Sequence, residues 1–268
     1  MFNLLRMDLY HMKRSKFVYV CFLCLLGVIF LCYLMVWLMA TPNGQAAGLK
    51  IGLLTLDELE EGKALQEGVD LLDMFREANM DGGLYNLIFG IAVTLLVCRD
   101  YQGGFLKNIM SLHRERWTYI GSKLMAAGIL NFLYLVFTFA FNAFINVLFH
   151  NMLSLPDWKE TLFYLTWAWV VTMGFAALII LLCVASRSTT VGVLGAVLGG
   201  SGLIVTLLSG ITNQFRLSGW EEYTIYYNLT YGPSAYTSVA DLKVLVVGLV
   251  FLVLYTAGAV TTIIKRDV

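Results

Sequence analysis

The stretch from Arg99 to Trp117 sets basic and polar residues directly after an apolar run. Gly103 and Gly104 interrupt any helix arriving there. In the segment that follows, Lys107, Ser111 and Arg114 fall on one helical face, while Phe105, Ile109 and Leu112 fall on the opposite one. An apolar stripe backed by cations suits docking to a soluble partner rather than bond making. A second reading stays open from composition alone: a basic loop flanking a membrane span, with no partner.

Three further sets share a face or a region. Asn131, Thr138, Asn142 and Asn146 line one side of a long apolar run. Amides at membrane depth face protein or water, so they form either a hydrogen-bond ladder between helices or the polar wall of a translocation path. Gly195-x-x-x-Gly199 has the small-residue spacing that permits close helix approach, within one chain or between two. Tyr226, Tyr227 and Tyr231 cluster with Trp220, Tyr223 and Tyr236 in 211–243, where aromatics suit a membrane interface.

Enzyme chemistry finds no foothold. The chain lacks Gly-x-x-x-x-Gly-Lys-Ser/Thr, so it is not expected to bind ATP through a phosphate loop. His11, His113 and His150 are far apart and build no metal motif. Cys21, Cys24, Cys32, Cys98 and Cys183 all sit in apolar runs, which fits neither a disulfide framework nor a zinc site. Glu221-Glu222 resembles the paired glutamates of one class of intramembrane protease, but the following Arg is missing. No Ser or Cys has an evident base nearby.

The elements that must position these residues are set by composition. Of 268 residues, 59% are apolar and only 13% charged, with a mean hydropathy of +0.75. A soluble domain carries about 25% charged residues. A polytopic all-helical membrane protein remains, and a nucleic-acid binder is excluded along with a disordered chain. A hydrocarbon core needs about 20 apolar helical residues to cross it. Six runs qualify: Phe17–Ala40, Leu84–Cys98, Tyr119–Phe149, Thr161–Ala185, Val191–Ser209 and Val244–Ile264. The second is expected to begin earlier, near Met80, and the third to be tilted or broken.

With the N-terminus inside, inner segments hold 12 basic and 4 acidic residues, against 6 and 14 outside. That asymmetry predicts cytoplasmic termini. Residues 1–16 read as an interfacial helix, with Phe2, Leu5, Leu9 and Met12 on one face and Arg6, Tyr10, Lys13 and Arg14 on the other. Residues 41–83 form an outer loop with nine acidic residues. Leu56, Leu59, Leu65, Val69, Leu72 and Phe75 mark an amphipathic helix within it. The loop is either a solvated acidic cap or a surface that receives a cationic peptide.

The order of these features resembles the permease subunits of type-2 ATP-binding-cassette exporters, closest to the bacterial lantibiotic-immunity and bacitracin-resistance group. The resemblance rests on Asp100, Gly104, Lys107, Ser111, Arg114 and Lys123, which stand where that family has an acidic residue, a Gly-Thr-Ile-Lys-like stretch, Ser, Arg and a Gly-Lys pair. This chain has Asp for the commoner Glu, and Gly-Phe-Leu-Lys for Gly-Thr-Ile-Lys. Gly121-Ser122-Lys123 replaces a direct Gly-Lys.

The resemblance implies a single permease domain, 1–268, in the bacterial cytoplasmic membrane. Segment 103–116 would be the coupling helix, with Asp100, Gly104, Phe105, Lys107, Ile109, Ser111, Arg114 and Arg116 serving contact with a separate ATPase subunit. ATP and Mg would sit on that subunit and no cofactor on this chain. Asp100 would tie the second span to the coupling and N-terminal helices. Two permease chains, alike or different, would form a dimer around the substrate route. Segment 211–243 would supply re-entrant helices, with Tyr226, Tyr227 and Tyr231 at the outer gate. The implied activity is export of an amphipathic substrate such as a peptide or antimicrobial. The rivals are a membrane immunity or sensor protein that binds peptide at its acidic loop, and an ion-coupled carrier. The carrier is weakened by the scarcity of intramembrane carboxylates.

Overall fold

The computed structural model describes residues 2–52, 70–102, 116–215 and 219–265. Among them are eleven α-helices and no strand. They are α1 Phe2–Arg14, α2 Lys16–Ala40, α3 Pro42–Ile51, α4 Leu71–Asn79, α5 Leu84–Gln102 and α6 Trp117–Leu148. After these come α7 Trp158–Ser186, α8 Thr189–Gly200, α9 Leu203–Gln214, α10 Ile225–Tyr231 and α11 Lys243–Lys265. Five segments, built on α2, α5, α6, α7 and α11, are long and apolar enough to cross a membrane, and the bent pair α8 and α9 raises the number to six if it counts as one span. The chain is an all-helical, multi-pass membrane protein.

The span expected over Val191–Ser209 is a bent pair of helices, which is either a broken span or a re-entrant loop. α8 and α9 meet at 56°. The cause is local: Gly202 has φ +70, which ends α8 and restarts the chain in a new direction. The third span, by contrast, is one unbroken helix. Its 32 residues cover about 48 Å, more than a hydrocarbon core, so its polar ends project beyond it.

α7 is the central post. Trp167, Ala168, Val171, Phe175, Ala176, Ile179 and Cys183 are buried along it, and α5, α6, α8, α10 and α11 all pack against it. α2 lies at the rim, with Phe17, Leu23 and Leu31 exposed to the membrane. An apolar helix of this kind is held by the bilayer as much as by its neighbours.

Within 41–83, α4 packs against the bundle, whereas α3 is largely exposed and buries only Gly44 and Gly48. Thr41 caps α3, its hydroxyl accepting from the Gly44 amide at 3.1 Å, with Pro42 in the first turn. Asp70 caps α4, accepting from the Leu72 and Asp73 amides, each at 2.8 Å. The spacing of Leu71, Leu72, Met74, Phe75 and Ala78 then turns one face inward, onto α2 and α6. The Phe75 ring meets Phe139 and Tyr164 edge-on. Leu56, Leu59, Leu65 and Val69 lie outside the described residues.

Candidate functional site

The chain brings its buried charge together at one end of the bundle. Asp8 comes from α1, Asp100 from the last turn of α5, and Lys123 from the second turn of α6. Lys123 Nζ lies 2.6 Å from Asp8 Oδ1 and 2.6 Å from Asp100 Oδ2. The lysine is 1% exposed, Asp8 1% and Asp100 6%. Ser122 donates to Asp8 Oδ2 and Tyr119 to Asp100 Oδ2, each at 3.2 Å. One ammonium thus clamps three helices, and two hydroxyls from α6 complete the cage. Burial pushes the Asp8 carboxyl above its ordinary value, against the pull of the Lys123 ammonium, and Asp100 adds to the rise.

α1 is laid down by this contact and by packing. Leu4 and Met12 bury beside Asp8 on one face, while Arg14 bonds Tyr10 at 2.8 Å on the exposed side. Leu5 and Leu9 pack against the core more loosely, and Phe2 is exposed. The buried face is therefore Leu4, Asp8 and Met12, one residue round from the stripe read in the sequence.

Both ends of segment 103–115 are anchored. Asp100 stands just before it, and Arg116 just after it donates to the carbonyls of Ile263 and Ile264, each at 3.1 Å. Those carbonyls end α11, where a cation is favoured. Gly104, Phe105, Lys107, Ile109, Ser111 and Arg114 lie outside the described residues.

The polar face of α6 is buried and hydrogen-bonded within the chain. Asn131 accepts from Tyr85 Oη at 2.8 Å and donates to the Trp169 carbonyl at 3.1 Å and to Thr172 Oγ1. That joins α5, α6 and α7. Asn142 donates to the Leu71 carbonyl at 2.9 Å. Asn146 exchanges two bonds with the Leu153 backbone, each at 3.0 Å. Thr138 bonds back to its own helix. An Asn131→Leu variant is expected to lose about 1–3 kcal/mol, because the buried Tyr85 hydroxyl loses its 2.8 Å acceptor and the Trp169 carbonyl its side-chain donor. Thermal unfolding in detergent checks it; an unchanged midpoint contradicts the hub.

α8 carries two small-residue faces. Gly195 and Gly199 lie against Leu182 and Phe175 of α7. The closer approach is on the face of Gly192, Ala196 and Gly200, which meets Thr94, Gly90 and Leu87 of α5; a Cβ at Gly200 would stand 2.8 Å from the Leu87 nitrogen. Spacing alone pointed to the i, i+4 pair but not to which neighbour each face meets.

At the other end of the bundle, Tyr226, Tyr227 and Tyr231 line a concavity of about 320 Å³ with Glu221 and α9. Asp8 escaped the sequence reading, although its signal was there: a lone acidic residue on the apolar face of a basic helix.

The family model described as ABC-2 family transporter protein matches residues 4–202, which take in α1 to α8 and the whole charge cluster. The chain belongs to that family, and is a membrane permease of an ATP-binding-cassette transporter that works with an ATP-binding partner. No curated protein matches the chain.

Proposed function

We propose that the chain is the permease half of an exporter, moving an amphipathic substrate, a peptide or antimicrobial, out of the membrane or cytoplasm. A separate ATPase subunit carries ATP and Mg. Two permease chains form the working dimer in a bacterial cytoplasmic membrane, with both termini in the cytoplasm. One observation carries the reading. The ends of segment 103–115 are tied to α1, α5, α6 and α11 through Asp100, Lys123 and Arg116. A push delivered to that segment therefore reaches four helices at once, and rigid elements pass it across the bilayer. Tyr226, Tyr227 and Tyr231 serve as the outer gate.

Docking would use packed apolar side chains at the centre and charges at the rim. Phe105→Ala or Ile109→Ala is expected to cost about 1–3 kcal/mol of association with the ATPase. Lys107→Ala or Arg114→Ala is expected to cost less, in a salt-dependent way. Pull-down of the ATPase, read beside substrate export, checks this. If Ile109→Asp combined with Arg114→Glu leaves both intact, segment 103–116 is not the coupling helix.

A further inference from the structure

At the end of the bundle away from Lys123, the chain shows how it holds a cation with a carboxylate and a ring. Lys243 Nζ lies 2.8 Å from Glu222 Oε2 and 4.1 Å from the centre of the Tyr223 ring. The carboxylate meets the charge and the ring face stabilises it from the side.

Glu221 and three more tyrosines repeat the same pairing next door. Glu221, Tyr226, Tyr227 and Tyr231 line the 320 Å³ concavity, closed by Thr206 and Ser209 of α9. The rings of Tyr227 and Tyr231 lie 4.9 Å apart and 46° from coplanar, so they make angled walls rather than a stack. The Tyr226 ring fits against the backbone of Gly202, where any Cβ would strike it. The break between α8 and α9 thus shapes the site as well as bending the span. Among the described residues no cation pairs with Glu221.

We infer that this concavity binds an organic ammonium group: a quaternary headgroup or a lysine-type side chain. One carboxylate fixes the sign of the charge. Aromatic walls favour an organic cation over a metal ion, which needs several oxygen ligands. Among the described residues no set of three His, Cys, Asp or Glu is placed to hold a metal. The volume suits a headgroup and not a whole lipid or peptide. As a subsite for the transported molecule it rests on the exporter reading; ammonium binding itself needs only this chain.

The test is calorimetric titration of the purified full chain, without an ATPase, in a neutral maltoside detergent. The probes are choline, n-butylammonium and 3,3-dimethylbutan-1-ol, the uncharged isostere of choline. Both cations are expected to bind saturably, and the alcohol about tenfold more weakly or not at all. Glu221→Gln should weaken the cations about tenfold, and Tyr227→Leu or Tyr231→Leu about fivefold each. Glu160→Gln, at the same end of the bundle, should leave them unchanged. Tighter choline assigns a lipid-like headgroup, and tighter butylammonium a lysine-like side chain. The inference is overturned if the alcohol matches choline, or if Glu221→Gln binds like the parent while eluting and unfolding like it. ATPase pull-down reads the exporter proposal separately, so the two fail independently.

Discussion

Lys123→Met is expected to cost about 3–5 kcal/mol, because it leaves two buried carboxylates facing each other with no cation. The substitution keeps most of the side-chain volume, so the loss is electrostatic rather than a cavity. One carboxyl must then take up a proton, and Asp8, whose carboxyl burial already raises, can do so. The sign of the pH effect follows. A carboxyl raised in the native state binds its proton more firmly folded than unfolded, so its contribution is fullest below the ordinary carboxylate range. It falls away as pH rises through the native value. Lys123→Met is therefore expected to unfold more readily at pH 8 than at pH 5, and by a wider margin than the parent. Adding Asp8→Asn and Asp100→Asn should recover much of the loss, since a neutral cluster no longer buries unpaired charge. Thermal unfolding of the purified chain at both pH values decides it. A variant as stable as the parent at pH 8 would show that the clamp does not hold α1 to α5 and α6.

Gly83→Ala is the second large effect. Gly82 and Gly83 both have positive φ, at 66° and 71°, in the turn that leads into α5. A Cβ on Gly82 meets nothing within 4 Å, whereas one on Gly83 would overlap the Gly200 carbonyl at the end of α8. Gly82→Ala should therefore lose only the backbone contribution, about 1–3 kcal/mol. Gly83→Ala should lose that and about 1–3 kcal/mol more from overpacking. Membrane yield and unfolding midpoint of the pair separate strain from collision. Equal losses would mean that α8 can withdraw from α5 freely.

The long spans were legible because lipid demands long apolar runs, and those runs are visible one residue at a time. The kink was harder to read. Val191–Ser209 is apolar throughout and its glycines are many, so nothing local distinguishes Gly202, which bends the chain, from Gly199, which merely packs. Asp100 and Lys123 were legible as members of a motif, and Asp8 was not, because its meaning depends on a partner 115 residues away. The same limit applies to Asn131. Its membership of a polar face was plain, but whether that face meets water or Tyr85 and Thr172 is decided by where α5 and α7 lie.

The long reach of the Asp8 contact also sets an order of assembly. α1 is made before α5 and α6, yet the cation that pairs with Asp8 among the described residues arrives 115 residues later, after α2 and α5 have been made. Until then a nascent chain carries a basic helix with one uncompensated carboxylate on its apolar side, which favours the headgroup layer over the bilayer interior. α1 is thus fixed only once α6 is in place. Its locking marks the moment when α5 and α6 stand side by side, so the position of α1 records that the base of the bundle has closed.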